Sequence, residues 1–183
     1  NRSFQYFNDS WEDNFEEILH ILKSLIDEGK IRHVGLSNEN PWGIMKFLEY
    51  VKKGLPKMIT IQNPYSLLNR LFEIGSSEIC KRESVGLLAY SPLGFGVLSG
   101  KYMNKEMPKN SRLDLFPNLK RYSNVNSFKA TELYNEIAMK HGISLTDLSL
   151  SFVNDRPFVT SNIIGATSIS QLKENIESVN VKL

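Results

Sequence analysis

The strongest constraint on the fold is a unit that recurs along the 183-residue chain, in which a short apolar run precedes a helix-type pattern. Four such runs have the length of strands, and none alternates polar with apolar residues. They are Ile31–Leu36, Met58–Gln62, Gly86–Ala89 and Asn162–Gly165. Unbroken apolar strands joined by helical crossovers are typical of a parallel sheet that is buried on both faces. The sequence therefore predicts an α/β fold with one helix followed by four parallel strand–helix units.

Small polar residues mark where the predicted helices begin, because their side chains accept hydrogen bonds from the first helical turn. The predicted caps are Ser10 for a helix from Trp11, then Asn40, Ser127 and Ser144. A further helix is expected at Phe72–Glu83, with Ile74 and Ile79 directed inward by their spacing. No periodic pattern occurs from Leu93 to Asn126, which predicts a long irregular loop with a functional role.

Each predicted strand ends in a cluster of polar residues. The clusters are Ser37-Asn38, Gln62-Asn63, Tyr90-Ser91 and Gly165–Thr167. Parallel strands bring their carboxyl ends to one edge of a sheet, where barrels and open α/β sheets bind their ligands. A hydrophobic core does not require amide or hydroxyl groups at the ends of four strands. The pattern therefore predicts a binding site along this edge.

The segment Ala89–Gly96 combines a strand end with a loop of unusual composition. Tyr90 supplies a flat ring, two glycines permit unusual backbone shapes, and Lys101 supplies a nearby cation. These groups suit a flat heterocycle joined to phosphates. A tight turn with a core tyrosine explains the segment equally well, so the segment alone leaves both interpretations open.

Composition excludes several classes of partner. The chain has 22 basic and 20 acidic residues without a run of like charge, which argues against binding to nucleic acid. No apolar run is long enough to span a bilayer, so no membrane association is expected. Cys80 is the single cysteine, as expected in a reducing compartment such as the cytoplasm. The chain begins at Asn1 and not at methionine, and we expect a preceding N-terminal portion.

Four stretches resemble consecutive signatures of the aldo-keto reductase superfamily. They are GKIRHVGLSN (29–38), IQNPYSLLNR (61–70), AYSPLGFGVLSGKY (89–102) and IIGATSISQLKEN (163–175). The second and third are most similar to the Tas-type bacterial reductases. The resemblance implies a (β/α)8 TIM barrel that binds NADP(H) and transfers hydride to an aldehyde or ketone. It also implies that residues 1–183 are the C-terminal half of a single barrel domain.

The same resemblance implies a role for twelve cofactor-binding residues. Three hydrogen-bonding side chains are implied for the nicotinamide carboxamide: Ser37, Asn38 and Gln62. One aromatic ring is implied as the stacking partner of the nicotinamide: Tyr90. Loop residues and cations are implied for the phosphates: Ser91, Leu93, Lys101 and Arg112. A last group is implied for the adenosine side: Thr167, Gln171, Glu174 and Asn175.

The sequence departs from the family pattern in two respects. Many members carry a basic residue at the position of Ala166 and an arginine at that of Gln171, so a preference for NADP over NAD rests on Arg112. The family's catalytic Asp, Tyr, Lys and His lie on its first four strands, and none of them maps to this chain. We therefore expect the intact protein to reduce a small carbonyl compound and this chain alone to be inactive.

Two other functional interpretations remain at this stage. One is a regulatory subunit that binds a nicotinamide cofactor and resembles potassium-channel β subunits. The other is a barrel enzyme with a different cofactor. In the family, the catalytic Tyr is the general acid, and it does not map to this chain. Tyr65 lies just past a strand end, so a role as its substitute remains possible at this stage. His33 lies at the start of its strand, which is the wrong end for such a site.

Overall fold

A computed structural model describes residues 13–183 of the protein, apart from the Lys105 side chain. The predicted start of the first helix at Trp11 and its cap Ser10 lie outside the described residues. Within the described range, that helix extends from Phe15 to Asp27. Gly29 follows it at a φ of 71°, a left-handed conformation that suits glycine at the end of a helix.

Helices and parallel strands alternate through the described residues, as the sequence predicts. The α-helices are α1 (Phe15–Asp27), α2 (Pro41–Glu49), α3 (Ser76–Glu83), α4 (Arg112–Leu115), α5 (Val125–Lys140), α6 (Leu145–Asn154) and α7 (Ile169–Glu177). The strands are β1 (Val34–Ser37), β2 (Met58–Pro64), β3 (Gly86–Tyr90) and β4 (Val159–Asn162). Short 3₁₀ helices occupy Tyr50–Lys53, Leu71–Glu73, Gly94–Ser99, Met103–Lys105 and Ser178–Asn180.

The four strands form one parallel sheet in the order β1-β2-β3-β4. Because the order follows the chain, each crossover returns to the neighbouring position, which is the arrangement of half a (β/α)8 barrel. In β3, Leu87 and Ala89 are fully buried, whereas the alternating residues Leu88 and Tyr90 are half-buried. The prediction of a sheet buried on both faces is therefore wrong for the described residues. Helices cover one face, and the other face is open.

The covered face contributes to two adjoining hydrophobic clusters. In the larger cluster, Ile44 from α2 and Val153 from α6 pack with Ile61 and Leu87 from the central strands. In the other cluster, Leu19 from α1 packs with neighbouring side chains of α2 and β2. Burying one such aliphatic side chain contributes about 1.5–3 kcal/mol to stability. These contacts hold the helices against the sheet and leave its opposite face uncovered.

Cys80 lies on α3 within the larger cluster and is only 2% exposed. Its burial, which the sequence predicts, raises the pKa of the thiol to about 11. A thiol of this kind is protonated at neutral pH, and packing accounts for its presence.

The region from Leu93 to Asn126 is not the irregular loop that the sequence predicts. It contains two 3₁₀ helices and α4, and α5 already begins at Val125. Four buried side chains give the region a small core of its own: Val97, Tyr102, Leu113 and Tyr122. This core lobe, defined by residues 93–124, is fixed in place beside the carboxyl end of β3. The absence of sequence periodicity reflects short turns and not the absence of packing.

Several predicted boundaries and orientations differ from the structure. The expected helix Phe72–Glu83 is interrupted at Gly75, whose φ of 86° cannot continue a helix, and Ile74 is 73% exposed. The last strand ends at Asn162, because it is Val159 that pairs with Leu87 of β3. The interruption at Gly75 is local, whereas the extent of β4 follows from its pairing with β3, which local periodicity does not encode.

The predicted helix caps are confirmed at two positions and wrong at a third. The Asn40 side chain accepts a hydrogen bond from the Gly43 amide at 3.0 Å, and Ser144 accepts one from the Asp147 amide at 2.9 Å. For α5, the cap is Asn124, which accepts from the Ser127 amide at 3.0 Å. The Ser127 N–H thus donates in the first turn of a helix that starts three residues earlier than predicted.

The open face and the outer edges of β1 and β4 generate a prediction about stability. An unpaired strand edge readily associates with other strands. Within the described residues, neither edge strand has a second neighbour. We therefore expect the isolated 183-residue chain to self-associate or to melt without a cooperative transition. Calorimetry combined with light scattering tests this, and a sharp two-state melt of a monomer would contradict it.

Candidate functional site

Three strands bring polar side chains together at the carboxyl edge of the sheet. Ser37 of β1 lies beside Gln62 of β2 in the strand register. The Tyr90 hydroxyl at the end of β3 donates to Asn38 Oδ1 at 2.7 Å, and Asn38 Nδ2 donates to Ser37 Oγ at 3.1 Å. The structure therefore gathers the four residues that the sequence assigns to one ring-binding group. We call Ser37, Asn38, Gln62 and Tyr90 the strand-end group.

Backbone conformation positions two of the polar ends. Asn38 has a φ of 56°, which asparagine tolerates better than most residues, and its N–H donates to the Gln62 carbonyl at 2.9 Å. Ser91 also has a φ of 56°, immediately after β3. Left-handed backbone at a serine is unfavourable, and such residues cluster at binding sites. Both residues lie where the chain leaves a strand and turns across the sheet edge.

The loop after β3 offers unpaired donors beside the strand-end group. The N–H groups of Ser91 and Leu93 have no hydrogen-bond partner among the described residues, while both carbonyls accept from Gly94 and Gly96. A Cβ placed on Gly96 would lie 2.7 Å from Lys101 Cε and 2.9 Å from its Nζ. The half-buried Lys101 side chain therefore lies against this loop, and a larger residue at position 96 would displace its end. Free N–H groups next to an ammonium group form an environment that attracts anions.

Arg112, the first residue of α4, lies on the surface of the core lobe. Its guanidinium carbon lies 4.9 Å from the centre of the Phe95 ring, an arrangement that combines stacking with a cation–π interaction. The charged group is exposed, and no carboxylate among the described residues forms an ion pair with it. Arg112 is thus held by a ring and keeps its hydrogen-bond donors available.

The remaining predicted contacts lie around the start of α7. The Gln171 side-chain oxygen accepts from the Thr167 amide at 2.9 Å and from its hydroxyl at 3.0 Å. Glu174 accepts from Ser144 Oγ at 3.3 Å. Asn175 is buried, and its amide donates to the Gly165 carbonyl at 3.3 Å. Asn175 therefore holds the loop before α7, while Thr167 and Gln171 are exposed.

We call Thr167, Gln171, Glu174 and Asn175 the α7 group. Hydrogen bonds connect residues within the strand-end group and within the α7 group. Among the described residues, none joins a side chain of one group to a side chain of the other. The two groups therefore form separate parts of any larger site. A ligand that used both would need an extended shape, with the loop after β3 contributing its middle part.

The structure removes Tyr65 from the possible site residues. Its ring is fully buried, stacks on Phe152 at 5.7 Å and contacts Phe158 edge-on at 5.3 Å. Its hydroxyl donates to Glu73 Oε1 at 2.5 Å, and Glu73 also forms a bidentate pair with Arg70. Burial, followed by the contact with the Glu73 carboxylate, raises the pKa of Tyr65 far above its usual range. Tyr65 is a core residue and not a proton donor at the site.

One polar residue of the site escaped the sequence analysis. Arg121 Nη1 donates to the Tyr90 hydroxyl at 3.4 Å, and this hydrogen bond raises the pKa of Arg121 further above its usual value. Arg121 follows Lys120 in a segment without periodicity. The only sequence signal was a pair of basic residues in a loop, which are usually solvated. Folding of the core lobe brings Arg121 to the strand-end group.

Two further classes of site find no support in the described part of the chain. No cluster of three or more His, Cys, Asp or Glu side chains there could hold a metal ion. None of the helices in residues 13–183 combines the length and apolar character needed to cross a membrane.

Comparison with known proteins identifies the family. The family model described as the aldo/keto reductase family matches residues 4–183. The chain belongs to the aldo/keto reductase family. The resemblance seen in the sequence is therefore confirmed, and the four parallel strands are half of the (β/α)8 barrel that this family implies.

Individual relatives agree with this assignment. The chain is 46% identical over 180 residues to the protein named Protein tas of Escherichia coli K12, covering 95% of this chain and 52% of that protein. It is 41% identical to an aldo-keto reductase of Babesia bovis, covering 88% and 59% of the two chains. It is 32% identical to the L-glyceraldehyde 3-phosphate reductase of E. coli K12, covering 90% and 49%. The chain thus spans about half the length of the curated relatives it matches.

Members of the family generally use NAD(P)H, and the residues present fit such a cofactor. The strand-end group offers amide and hydroxyl groups next to an aromatic ring, which suits a carboxamide on a flat heterocycle. The free N–H groups of Ser91 and Leu93, with Lys101, suit a pyrophosphate. Open space surrounds Gly165, since a Cβ built there would meet no atom within 4 Å.

The cluster of Tyr65, Arg70 and Glu73 generates a prediction about pH dependence. The Arg70 guanidinium, which is the largest influence, lowers the pKa of Glu73 from its ordinary value of 4.5. A carboxylate with a depressed pKa stabilises the fold above its unfolded-state pKa, and this stabilisation disappears as the pH falls through the folded-state pKa. We expect Glu73→Gln to lower the urea concentration at which half of the full-length protein is unfolded at about pH 7. The same substitution should change that concentration little near pH 3.

Glu78→Gln provides the matched control for this measurement. Glu78 forms an ion pair with Arg82 on the exposed surface of α3, and exposed pairs of this kind contribute little to stability. Its substitution should produce a small difference in midpoint at either pH. A Glu73→Gln effect of equal size at both pH values would contradict the proposed role of the carboxylate.

Proposed function

We propose that the protein containing this chain is an NADPH-dependent reductase that converts an aldehyde or ketone to an alcohol. The supporting observation is the strand-end group, in which Tyr90, Asn38 and Ser37 are hydrogen-bonded in series beside Gln62. The name of the relative L-glyceraldehyde 3-phosphate reductase refers to reduction of an aldehyde, which agrees with carbonyl chemistry.

The strand-end group has a defined task in this proposal. The side chains of Ser37, Asn38 and Gln62 hydrogen-bond the carboxamide and so fix how the nicotinamide is rotated in its plane. The Tyr90 ring stacks on the nicotinamide and blocks one of its faces. When bound, the cofactor supplies the hydride. The protein determines which face remains open to the carbonyl carbon.

Cations and free N–H groups hold the rest of the cofactor in this proposal. Ser91 and Leu93 bind the pyrophosphate through their backbone N–H groups, with Lys101 and Arg112 neutralising charge. The α7 group, comprising Thr167, Gln171, Glu174 and Asn175, binds the adenosine side. Arg112 is the residue on which the preference for NADP over NAD depends, because Ala166 and Gln171 are uncharged.

The proton donor lies outside this chain in the proposal. Residues 1–183 form the C-terminal half of a single barrel domain, and the preceding half supplies the Asp, Tyr, Lys and His of the family. Among the described residues, Tyr65 is buried and held by a carboxylate, so it offers no substitute. The partner is a small carbonyl compound and neither nucleic acid nor a membrane. A cytoplasmic location agrees with the free, buried Cys80.

The central experiment compares two polypeptides in the same assay. We expect the full-length protein encoded by the gene to oxidise NADPH in the presence of 4-nitrobenzaldehyde, and the purified 183-residue chain to show no turnover. Absorbance of NADPH provides the measurement. Turnover by the 183-residue chain would contradict the proposal that the proton donor lies outside this chain. NADPH binding by the full-length protein without turnover of any aldehyde would favour a regulatory subunit.

A second expected outcome concerns Arg112 and the core lobe. If the lobe closes over the cofactor phosphates, Arg112→Ala should raise the NADPH dissociation rate of the full-length protein by about tenfold, the effect of losing one charge-assisted hydrogen bond. Stopped-flow fluorescence measures this rate. Arg82→Ala is the matched control, because Arg82 is exposed on α3 and pairs with Glu78. An unchanged NADPH dissociation rate for Arg112→Ala would rule out the proposal that the core lobe holds the cofactor through Arg112.

A further inference from the structure

Arg121, which donates to the Tyr90 hydroxyl, also lines a concavity of about 610 Å³. Polar residues Asn69, Arg70, Glu73 and Arg121 line it together with the apolar side chains of Leu71 and Ile74. These two apolar residues are 72% and 73% exposed, so they present apolar surface at the wall of the concavity. The wall of the concavity therefore combines charge with apolar surface, as sites for small molecules commonly do.

The two arginines of the concavity differ in their partners. Arg70 Nε and Nη2 donate to the two oxygens of Glu73 at 2.8 and 2.7 Å, so a carboxylate already neutralises this charge. Arg121 forms no ion pair with any carboxylate of residues 13–183, and its Nη1 donates to the neutral Tyr90 hydroxyl. A guanidinium has five donors, and most of those on Arg121 remain available.

The core lobe fixes Arg121 at this position. The neighbouring Tyr122 is 1% exposed and packs edge-on against Phe95 at 4.9 Å. Its hydroxyl accepts a hydrogen bond from Asn69 at 3.4 Å, and both residues line the concavity. Because the next residue is anchored in a core, the Arg121 backbone has little freedom. The exposed guanidinium reaches the Tyr90 hydroxyl through its hydrogen bond at 3.4 Å.

We infer that Arg121 binds an anionic group, a carboxylate or phosphate, on the carbonyl substrate. This inference rests on the proposed function, in which the Tyr90 ring carries the nicotinamide. A substrate whose carbonyl meets the nicotinamide extends past the Tyr90 hydroxyl into the concavity. Its carbon skeleton contacts Leu71 and Ile74, and its anion pairs with the guanidinium, whose planar fork matches carboxylate and phosphate oxygens.

The cofactor phosphates are the other possible source of an anion. They are assigned to Ser91, Leu93, Lys101 and Arg112, on the loop after β3 and at the start of α4. Arg121 instead contacts the hydroxyl of the stacking ring and lines a separate concavity with residues that follow β2. Substrate recognition is therefore the role that the position of Arg121 favours, and cofactor affinity provides the distinguishing measurement.

The test uses two aldehydes of nearly the same shape, 4-carboxybenzaldehyde and 4-nitrobenzaldehyde, of which only the first is anionic. In the full-length protein, Arg121→Gln should lower the ratio of their kcat/KM values by about tenfold or more, because a charge-assisted pair is lost. Arg121→Lys should retain part of the preference. Lys120→Gln, which removes the adjacent exposed charge, should leave the ratio unchanged.

Two results would overturn the inference. One is an unchanged ratio in Arg121→Gln, and the other is a raised Kd for NADPH with the ratio unchanged, which would assign the guanidinium to the cofactor. Absence of turnover with every aldehyde would refute the proposed reductase function instead. In that case, calorimetric titration with benzoate still decides: weaker binding to Arg121→Gln supports the anion site, and equal binding removes it.

Discussion

The hydrogen bond between the Tyr90 hydroxyl and Asn38 Oδ1 is the contact on which the candidate site depends. It joins the end of β3 to the end of β1 across β2 at 2.7 Å. Parallel pairing makes this possible, because it places Ser37 beside Gln62 and carries Tyr90 to the same edge. The core lobe then brings Arg121 to the same hydroxyl. One phenol oxygen thus connects the sheet edge, the lobe and the neighbouring concavity.

The sequence predicts the architecture well because strand polarity and order follow from simple patterns. Short apolar runs separated by helices require parallel strands, and caps such as Asn40 and Ser144 act through local hydrogen bonds. One error has a local cause, and another depends on a distant partner. Ile74 satisfies a helical period, yet the left-handed Gly75 breaks the helix and leaves it exposed. The extent of β4 follows from its pairing with β3, which local composition does not encode.

The candidate site was predictable in part. Residues at strand ends, such as Asn38 and Tyr90, could be placed from the sequence, since every parallel strand delivers its carboxyl end to one edge. Tyr65 also follows a strand, but its side chain turns into the core, and the local sequence does not specify that choice. Arg121 could not be predicted, because its position depends on the small core around Tyr122. Loop residues acquire their positions from tertiary packing.

We propose that the strand-end group binds the nicotinamide end of the cofactor. The most direct test of this proposal measures the affinity of the full-length protein for NADPH and for 2′,5′-ADP, which lacks the nicotinamide. Asn38→Ala and Tyr90→Ala should each weaken NADPH binding by about tenfold, equivalent to about 1.4 kcal/mol, and leave 2′,5′-ADP binding unchanged. Equal weakening of both ligands, or no weakening of NADPH binding, would contradict the claim.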